Sequence, residues 1–490
     1  MSSSSSIIPH ACTCLVDAAA PDLAGKIVEA SKLEPEAFRY GYIENRPCVP
    51  DNADAIGFQY FRYGIGGGEK VTRMLMELFC KQGRRAILYV DELVEDAEDL
   101  GLPTGATRKV VPCEPTERAA FWAHEVAREN LCCVVYGTWL SSRAPLDCLA
   151  IQTAGAAFVL ETHGTATYLF DCPGNKERWD DVLRCAWAAD LLVCLSESDR
   201  VFWGTFNRNV RYVTNPLDSR MDGSESCKDA PHYDVVFCGR LDPHEKRPDE
   251  ALRVFAAAHK QLPSIRMAFV GDGPARKELE RLGEELGVAD AVSFLGFQKD
   301  PNGLVENAGV LVLTSPSEGF PLVLTEAACL GTPCVVYEMP HLTVLRGNGG
   351  AVQIPQGDWE AGGLAVAQLL SNRELRARTA QAGREFYARM SQADHAAVWS
   401  HIIDDAVAAA RSPHVTPNPG DDPVHALVFN AVAASRREAL RCKDFEDRMN
   451  AEWRRANEAE AQLRALRASH SFRVGEALAW LPRKLRGRLR

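Results

Sequence analysis

Sixteen cysteines are present, yet no two of them stand at C-x-x-C spacing. No zinc site can therefore be completed around Cys12 and Cys14 or around Cys132 and Cys133. Cys194, Cys238 and Cys334 fall inside apolar strand-like runs, which reads as free thiols in a reducing compartment. Positive charge is not in excess: the formal net charge of −11 argues against general nucleic-acid binding. No D-x-D motif occurs, and no run of about 20 apolar residues could span a bilayer. The start, Met1 to Ser6, has neither the charge nor the apolar core of a secretory signal. The expectation is a cytoplasmic chain. With 490 residues, 46% of them hydrophobic and 25% charged, it can bury two cores and still carry an appendage.

What the chain does have is concentrated in residues 315–326. The run Ala308-Gly-Val-Leu-Val-Leu313 is expected to be a buried strand. Ser315, Pro316, Ser317 and Gly319 make a loop, and Pro321 suits the first position of a helix continued by Leu322, Val323, Leu324 and Thr325. Glu318 then lies in the loop and Glu326 about two turns on. A strand feeding a loop and a helix N-terminus offers unpaired backbone N–H groups to an anion. A carboxylate beside such a site is a poor phosphate ligand but a good acceptor for sugar hydroxyls. The combination suits a sugar diphosphate.

Upstream, Tyr233-Asp-Val-Val-Phe-Cys238 is a short apolar strand followed by Gly239 and Arg240, then Lys246 and Arg247, with a helix expected from about Asp249. Strands are also expected over Ile265–Val270, Val292–Leu295 and Pro333–Tyr337, with helices and Gly/Pro turns between them. Repeated βα units with short turns predict a doubly wound parallel sheet whose ligand sits at the carboxyl ends of the strands.

The first half is compatible. A strand over Ala55–Tyr63 leads into Gly64-Ile-Gly-Gly-Gly-Glu-Lys70, followed by a helix with Val71, Met74, Leu75 and Leu78 on one face. The next strand, Ala86–Val90, ends in Asp91. This looks like a dinucleotide fingerprint but fails at the third glycine position, which is Glu69; nor does it fit a phosphate-binding GK[ST] loop. A nicotinamide-dependent oxidoreductase using the Gly64 loop and Asp91 stays open as an alternative. His163 ends another apolar strand, and Ala189 to Ser196 form one more.

Taken together, these residues resemble the retaining glycosyltransferases of family four, whose signature is a glutamate, seven residues and a second glutamate, matched by Glu318 and Glu326. The resemblance covers roughly residues 55 to 410. It implies a GT-B fold: two Rossmann-like doubly wound α/β domains facing a cleft. It places Glu318 at the donor sugar, Glu326 on the ribose, and Arg240 and Lys246 on the donor diphosphate, aided by N–H groups near Gly319 and Phe320, with Pro321 beside them in the donor site. His163 would line the cleft. The loop at Gly67 and Gly68 would lie near the donor phosphates and the acceptor, or merely permit a tight turn. Phe297 would border the nucleotide base, or be a core residue. The implied reaction moves a hexose from a UDP- or GDP-linked sugar to a glycan or lipid-linked acceptor with retention. No cofactor is implied, and cations stand in for a metal. A catalytically silent scaffold of the same fold is a second alternative.

The expected organisation is an unassigned stretch 1–52, an acceptor-side domain 53–216, and a donor-side domain 217–411 with a returning helix. A Pro-rich linker 412–423 and a helical tail 424–490 follow. In the tail Phe445, Met449, Ala456, Ala459, Leu463 and Leu466 share one register, broken at Glu452. That seam fits either a dimer or docking on the body. Residues 471–490 carry six Lys/Arg against one acid, with Phe472, Trp480 and Leu485 among them, which suits the surface of an anionic membrane. A bacterial cell-surface polysaccharide pathway, on the inner face of the membrane, is the expected setting.

Overall fold

The computed structural model describes residues 13–94, 101–170, 176–217, 232–412 and 417–468. Residues 471–490 lie outside them, as do the side chains of Phe445, Ala456, Ala459, Leu463 and Leu466.

Residues 13–52, the described part of the stretch before residue 53, hold four elements. These are β1 (Thr13–Asp17), α1 (Leu23–Ala30), α2 (Pro35–Arg39) and β2 (Gly41–Glu44), with β1 and β2 paired in parallel. Val16, Ile27 and Phe38 join the core of the first domain. The Arg46 guanidinium grips Asp190 at 2.7 Å. Short elements and weak periodicity hid this flank from the sequence reading.

The first domain contains β3 (Ala55–Arg62), α3 (Gly67–Lys81), β4 (Ala86–Glu92), β5 (Thr107–Val110), α4 (Pro115–Glu129), β6 (Leu131–Tyr136), α5 (Ala144–Thr153), β7 (Ala157–Glu161), α6 (Lys176–Ala188), β8 (Leu191–Cys194), α7 (Glu197–Gly204) and β9 (Val210–Tyr212). Its seven strands are parallel in the order β5-β4-β3-β6-β7-β8-β9. Val, Leu, Ile and Phe fill these strands because both faces of a parallel sheet are covered by helices.

The second domain contains β10 (Val235–Cys238), α8 (Pro248–Gln261), β11 (Met267–Val270), α9 (Arg276–Glu285), β12 (Val292–Gly296), α10 (Asn302–Glu306), β13 (Val310–Leu313), α11 (Leu322–Leu330), β14 (Cys334–Tyr337), β15 (Ala351–Ile354), α12 (Trp359–Ser371) and α13 (Arg373–Met390). Its six strands run parallel in the order β12-β11-β10-β13-β14-β15. Strand order reverses between β3 and β6 in one sheet and between β10 and β13 in the other. Ligand crevices open at such points, outside the carboxyl ends of the strands.

Two helices then return to the first domain. On α14 (His395–Ala410), which the sequence reading grouped with the second domain, Trp399, Ile402, Ile403 and Ala406 are buried with Val71, Leu75 and Phe79. The long α15 (Pro423–Ala468) starts on the same domain. Val432 enters its core, Phe429 meets Phe206, and Arg436 Nε lies 2.6 Å from Asp180. Farther along, Met449 and Trp453 are exposed.

Candidate active site

The carboxyl ends of the two sheets meet. After β10 the backbone is tied to the next βα loop: Gly239 N–H donates to Val270 O, and Leu241 N–H to Asp272 O. Gly271, at φ +140°, makes this possible, because a Cβ there would sit 2.0 Å from the Gly239 carbonyl oxygen. Arg240 is thereby held at the strand end, its guanidinium 2.5 Å from Glu245. The chain then bends through Arg247 in the left-handed conformation, φ +46°. Thr314, at the end of β13, donates its hydroxyl to the Arg247 carbonyl at 2.8 Å. This places Lys246 Nζ 2.6 Å from Glu318 Oε1, with 27% and 10% of the two side chains exposed. The first cation and the first acid of the expected set are in direct contact.

The Glu318 loop is braced from outside. His341 Nε2 lies 3.2 Å from the Glu318 carbonyl oxygen, and Gln356 donates to the Pro316 carbonyl at 2.8 Å. α11 begins at Leu322, so Pro321 is its cap and not its first helical residue; it contributes no side-chain acceptor. The first-turn N–H groups therefore lack a side-chain cap. Phe320 is buried in the second-domain core, so only its backbone faces the loop.

Three of the contacts across the domain line lie beside the site. Gly319 packs on the first domain so closely that a Cβ would lie 2.4 Å from the His163 carbonyl oxygen. The Thr167 and Ser317 hydroxyls are 3.0 Å apart. Lys70 Nζ, on the first turn of α3, stands 2.6 Å from Glu326 Oε1. Next to it, burial pushes the Glu69 carboxyl up to about 7, while the Arg240 charge pulls in the opposite direction. The helix starts inside the glycine run, at Gly67, earlier than the sequence implies. Gly68 is held against the Tyr60 hydroxyl, which a Cβ would approach to 2.2 Å; a Cβ at Gly67 would meet open space.

His163 sits beneath this loop, beside Tyr60 at 5.6 Å between ring centroids. Neither ring nitrogen has a hydrogen-bond partner among the described residues. Burial lowers its pKa to about 4 and raises that of Glu161, 3.6 Å away, to about 8. At neutral pH both are uncharged, so their proximity is not an ion pair.

Lys246, Glu318 and Gly319 thus share one cluster, and Glu326 and Arg240 adjoin it through Lys70 and Glu69. Phe297 does not join them. It follows β12, at the far edge of the second sheet, and is half exposed, so it is not a core residue. Lys70, Glu69, Tyr60 and Glu161 were not singled out as site residues from sequence; a charged pair directly after three glycines was the available signal. Asp91 corrects the dinucleotide alternative: it is buried, with one oxygen 2.8 Å from Arg118 and the other 2.7 Å from Arg143. Both oxygens are engaged by guanidinium groups, so a ribose finds no acceptor there.

Two parallel-sheet domains meeting at their strand ends make this a GT-B protein. Its second domain, over residues 225–386, matches the family model described as glycosyl transferases group 1. The chain is 32% identical over 171 residues to an undecaprenol-diphosphate-linked glycan α-1,4-N-acetyl-D-galactosaminyltransferase of Campylobacter jejuni, covering 34% of this chain and 45% of that protein. It is 28% identical over 215 residues to an exopolysaccharide phosphotransferase of Streptomyces coelicolor, covering 42% and 23%. The chain spans less than half the length of both relatives. Among solved structures, the lipopolysaccharide glycosyltransferase WaaG superposes with a TM-score of 0.56 at 14% identity, over 71% of this chain and 98% of that one. Anabaena HepE, solved with UDP-glucose, gives 0.59 at 16%, over 73% and 100%.

Proposed function

We propose that the protein transfers a hexose from a nucleoside-diphosphate sugar, UDP- or GDP-linked, to a glycan or lipid-linked acceptor, in the assembly of a bacterial cell-surface polysaccharide. Lys246 and Arg240 take up the charge of the departing diphosphate, with the uncapped N–H groups of α11 as further donors. These fixed charges do the work of a metal ion. Glu318 holds the sugar ring and Glu326 the ribose, and the anomeric configuration is retained. The basic end of the tail, residues 471–490, would keep the enzyme beside an anionic membrane that carries its acceptor.

The observation that carries this reading is the Lys246–Glu318 pair, closed at 2.6 Å beside the start of α11 and against the first domain. A cation and an acid brought together from segments 72 residues apart suit a ligand that is anionic at one end and hydroxylated at the other. Lys246→Ala and Glu318→Ala are each expected to fold, by unfolding midpoint, and to lose hydrolysis and transfer across a panel of UDP- and GDP-sugars. Unimpaired turnover in either variant would refute the assignment.

A further inference from the structure

We propose that Lys70 is a third cation for the donor diphosphate, supplied by the first domain, and that it leaves Glu326 when the donor binds. The inference rests on the donor site proposed above and adds a residue and a step to it. Lys70 follows Gly66, Gly67 and Gly68 on the first turn of α3, whose N-cap Gly66 provides no side-chain acceptor. Its ammonium bridges to the second domain, 2.6 Å from Glu326 Oε1, between residues 256 apart in the chain. Both side chains are mostly withdrawn from solvent, at 22% and 15% exposed. Their contact is thus only weakly screened.

The charge balance of the cleft gives the reason. Lys246 is paired with Glu318, Arg240 with Glu245 and Lys70 with Glu326. Asp242 also lies 3.8 Å from Arg240, so three cations face four carboxylates, and Glu69 stands beside Arg240 as a fifth acid. The empty site carries no excess of positive charge. A diphosphate adds two or more negative charges, and Lys246 and Arg240 alone would leave that charge beside uncompensated carboxylates. Glu318 and Glu326 exchange their cations for hydrogen bonds donated by the sugar and ribose hydroxyls. Each ammonium then moves a short way from acid to phosphate. Lys suits this exchange because its point charge rides on a flexible four-carbon stem. Because Lys70 belongs to the other domain, the same movement ties donor binding to the domain contact.

The test compares wild type, Lys70→Met and Lys70→Arg, each shown to be folded by its unfolding midpoint. Calorimetric titration with UDP and GDP reads the diphosphate. Ligand-observed NMR with uridine and guanosine reads the ribose and base alone. Lys70→Met is expected to weaken the favoured nucleoside diphosphate by on the order of tenfold or more, the loss of one charge-assisted hydrogen bond. Its affinity for the matching nucleoside should hold or rise, because Glu326 is freed, and Lys70→Arg should recover most of the diphosphate affinity. Unchanged diphosphate affinity in Lys70→Met overturns the proposal, and so does an equal loss for nucleoside and nucleoside diphosphate, which would make Lys70 a domain tie only. If wild type binds neither UDP nor GDP, the donor-site reading itself falls with it.

Discussion

At the scale of single residues, burial sets the protonation of the cleft. His163 was read from sequence as the end of a strand and a cleft-lining histidine, while Glu161, two residues before it, was not singled out. What local pattern does not show is that each lies buried, in surroundings that disfavour its charged form; around His163 these include Tyr60, Gly68 and Gly137. The consequence can be measured. Glu161 titrates at about 8 when folded against an ordinary 4.5, so the folded state holds the extra proton between those values. Its stability contribution is present below 4.5 and is lost as pH rises through 8. Glu69, at about 7, acts with the same sign. His163, lowered from 6.5 to about 4, acts with the opposite sign, with stability rising between 4 and 6.5. Glu161→Gln is therefore expected to reduce the fall in unfolding midpoint between pH 7 and pH 8, leaving the smaller part that Glu69, at about 7, contributes there. Urea denaturation at both pH values reads this, and an unchanged slope in the variant would show that Glu161 is ionised throughout.

At the scale of elements, strands and turns were the legible part. β10, β11, β13 and β14 were expected from apolar runs such as Tyr233–Cys238 and Ala308–Leu313, because strands covered on both faces carry little polar alternation. The bounds moved inward by one or two residues at their starts. The loop before α11 was readable from Ser315, Pro316, Ser317 and Gly319, but the reason for Gly319 was not. Only the folded structure shows that it faces the His163 carbonyl oxygen and the Leu195 side chain across the domain line. Gly319→Ala would put a methyl 2.4 Å from that oxygen. The loop must then withdraw, moving Glu318 with it. Turnover of the favoured nucleotide sugar is expected to fall by about tenfold or more, since small misplacements of a reacting group are costly, while each domain keeps its core. Kinetics beside thermal unfolding check this: a variant with full activity would mean that the domain contact is dispensable.

For the whole molecule, pairings that span the chain were invisible to local pattern. Lys70 meets Glu326, Arg211 meets Asp405 and Arg436 meets Asp180, and no periodicity encodes any of them. The same holds for α14: an amphipathic helix announces an apolar face, not which core receives it. With Trp399, Ile402 and Ile403 seated among Val71, Leu75 and Phe79, the end of the second domain is part of the first domain's core. The packing of α14 thus fastens the two halves together. Such an arrangement suits a donor gripped by both domains, from Lys246 and Arg240 on one side and the Gly66 loop on the other.

A crystal structure of the protein with an unreactive analogue of the proposed nucleotide-sugar donor tests this most directly. The diphosphate is expected between Lys246, Arg240 and Lys70 at the start of α11, with the ribose hydroxyls on Glu326 and the sugar against Glu318. A nucleotide bound elsewhere, with the Lys246–Glu318 and Lys70–Glu326 pairs still closed, would contradict it.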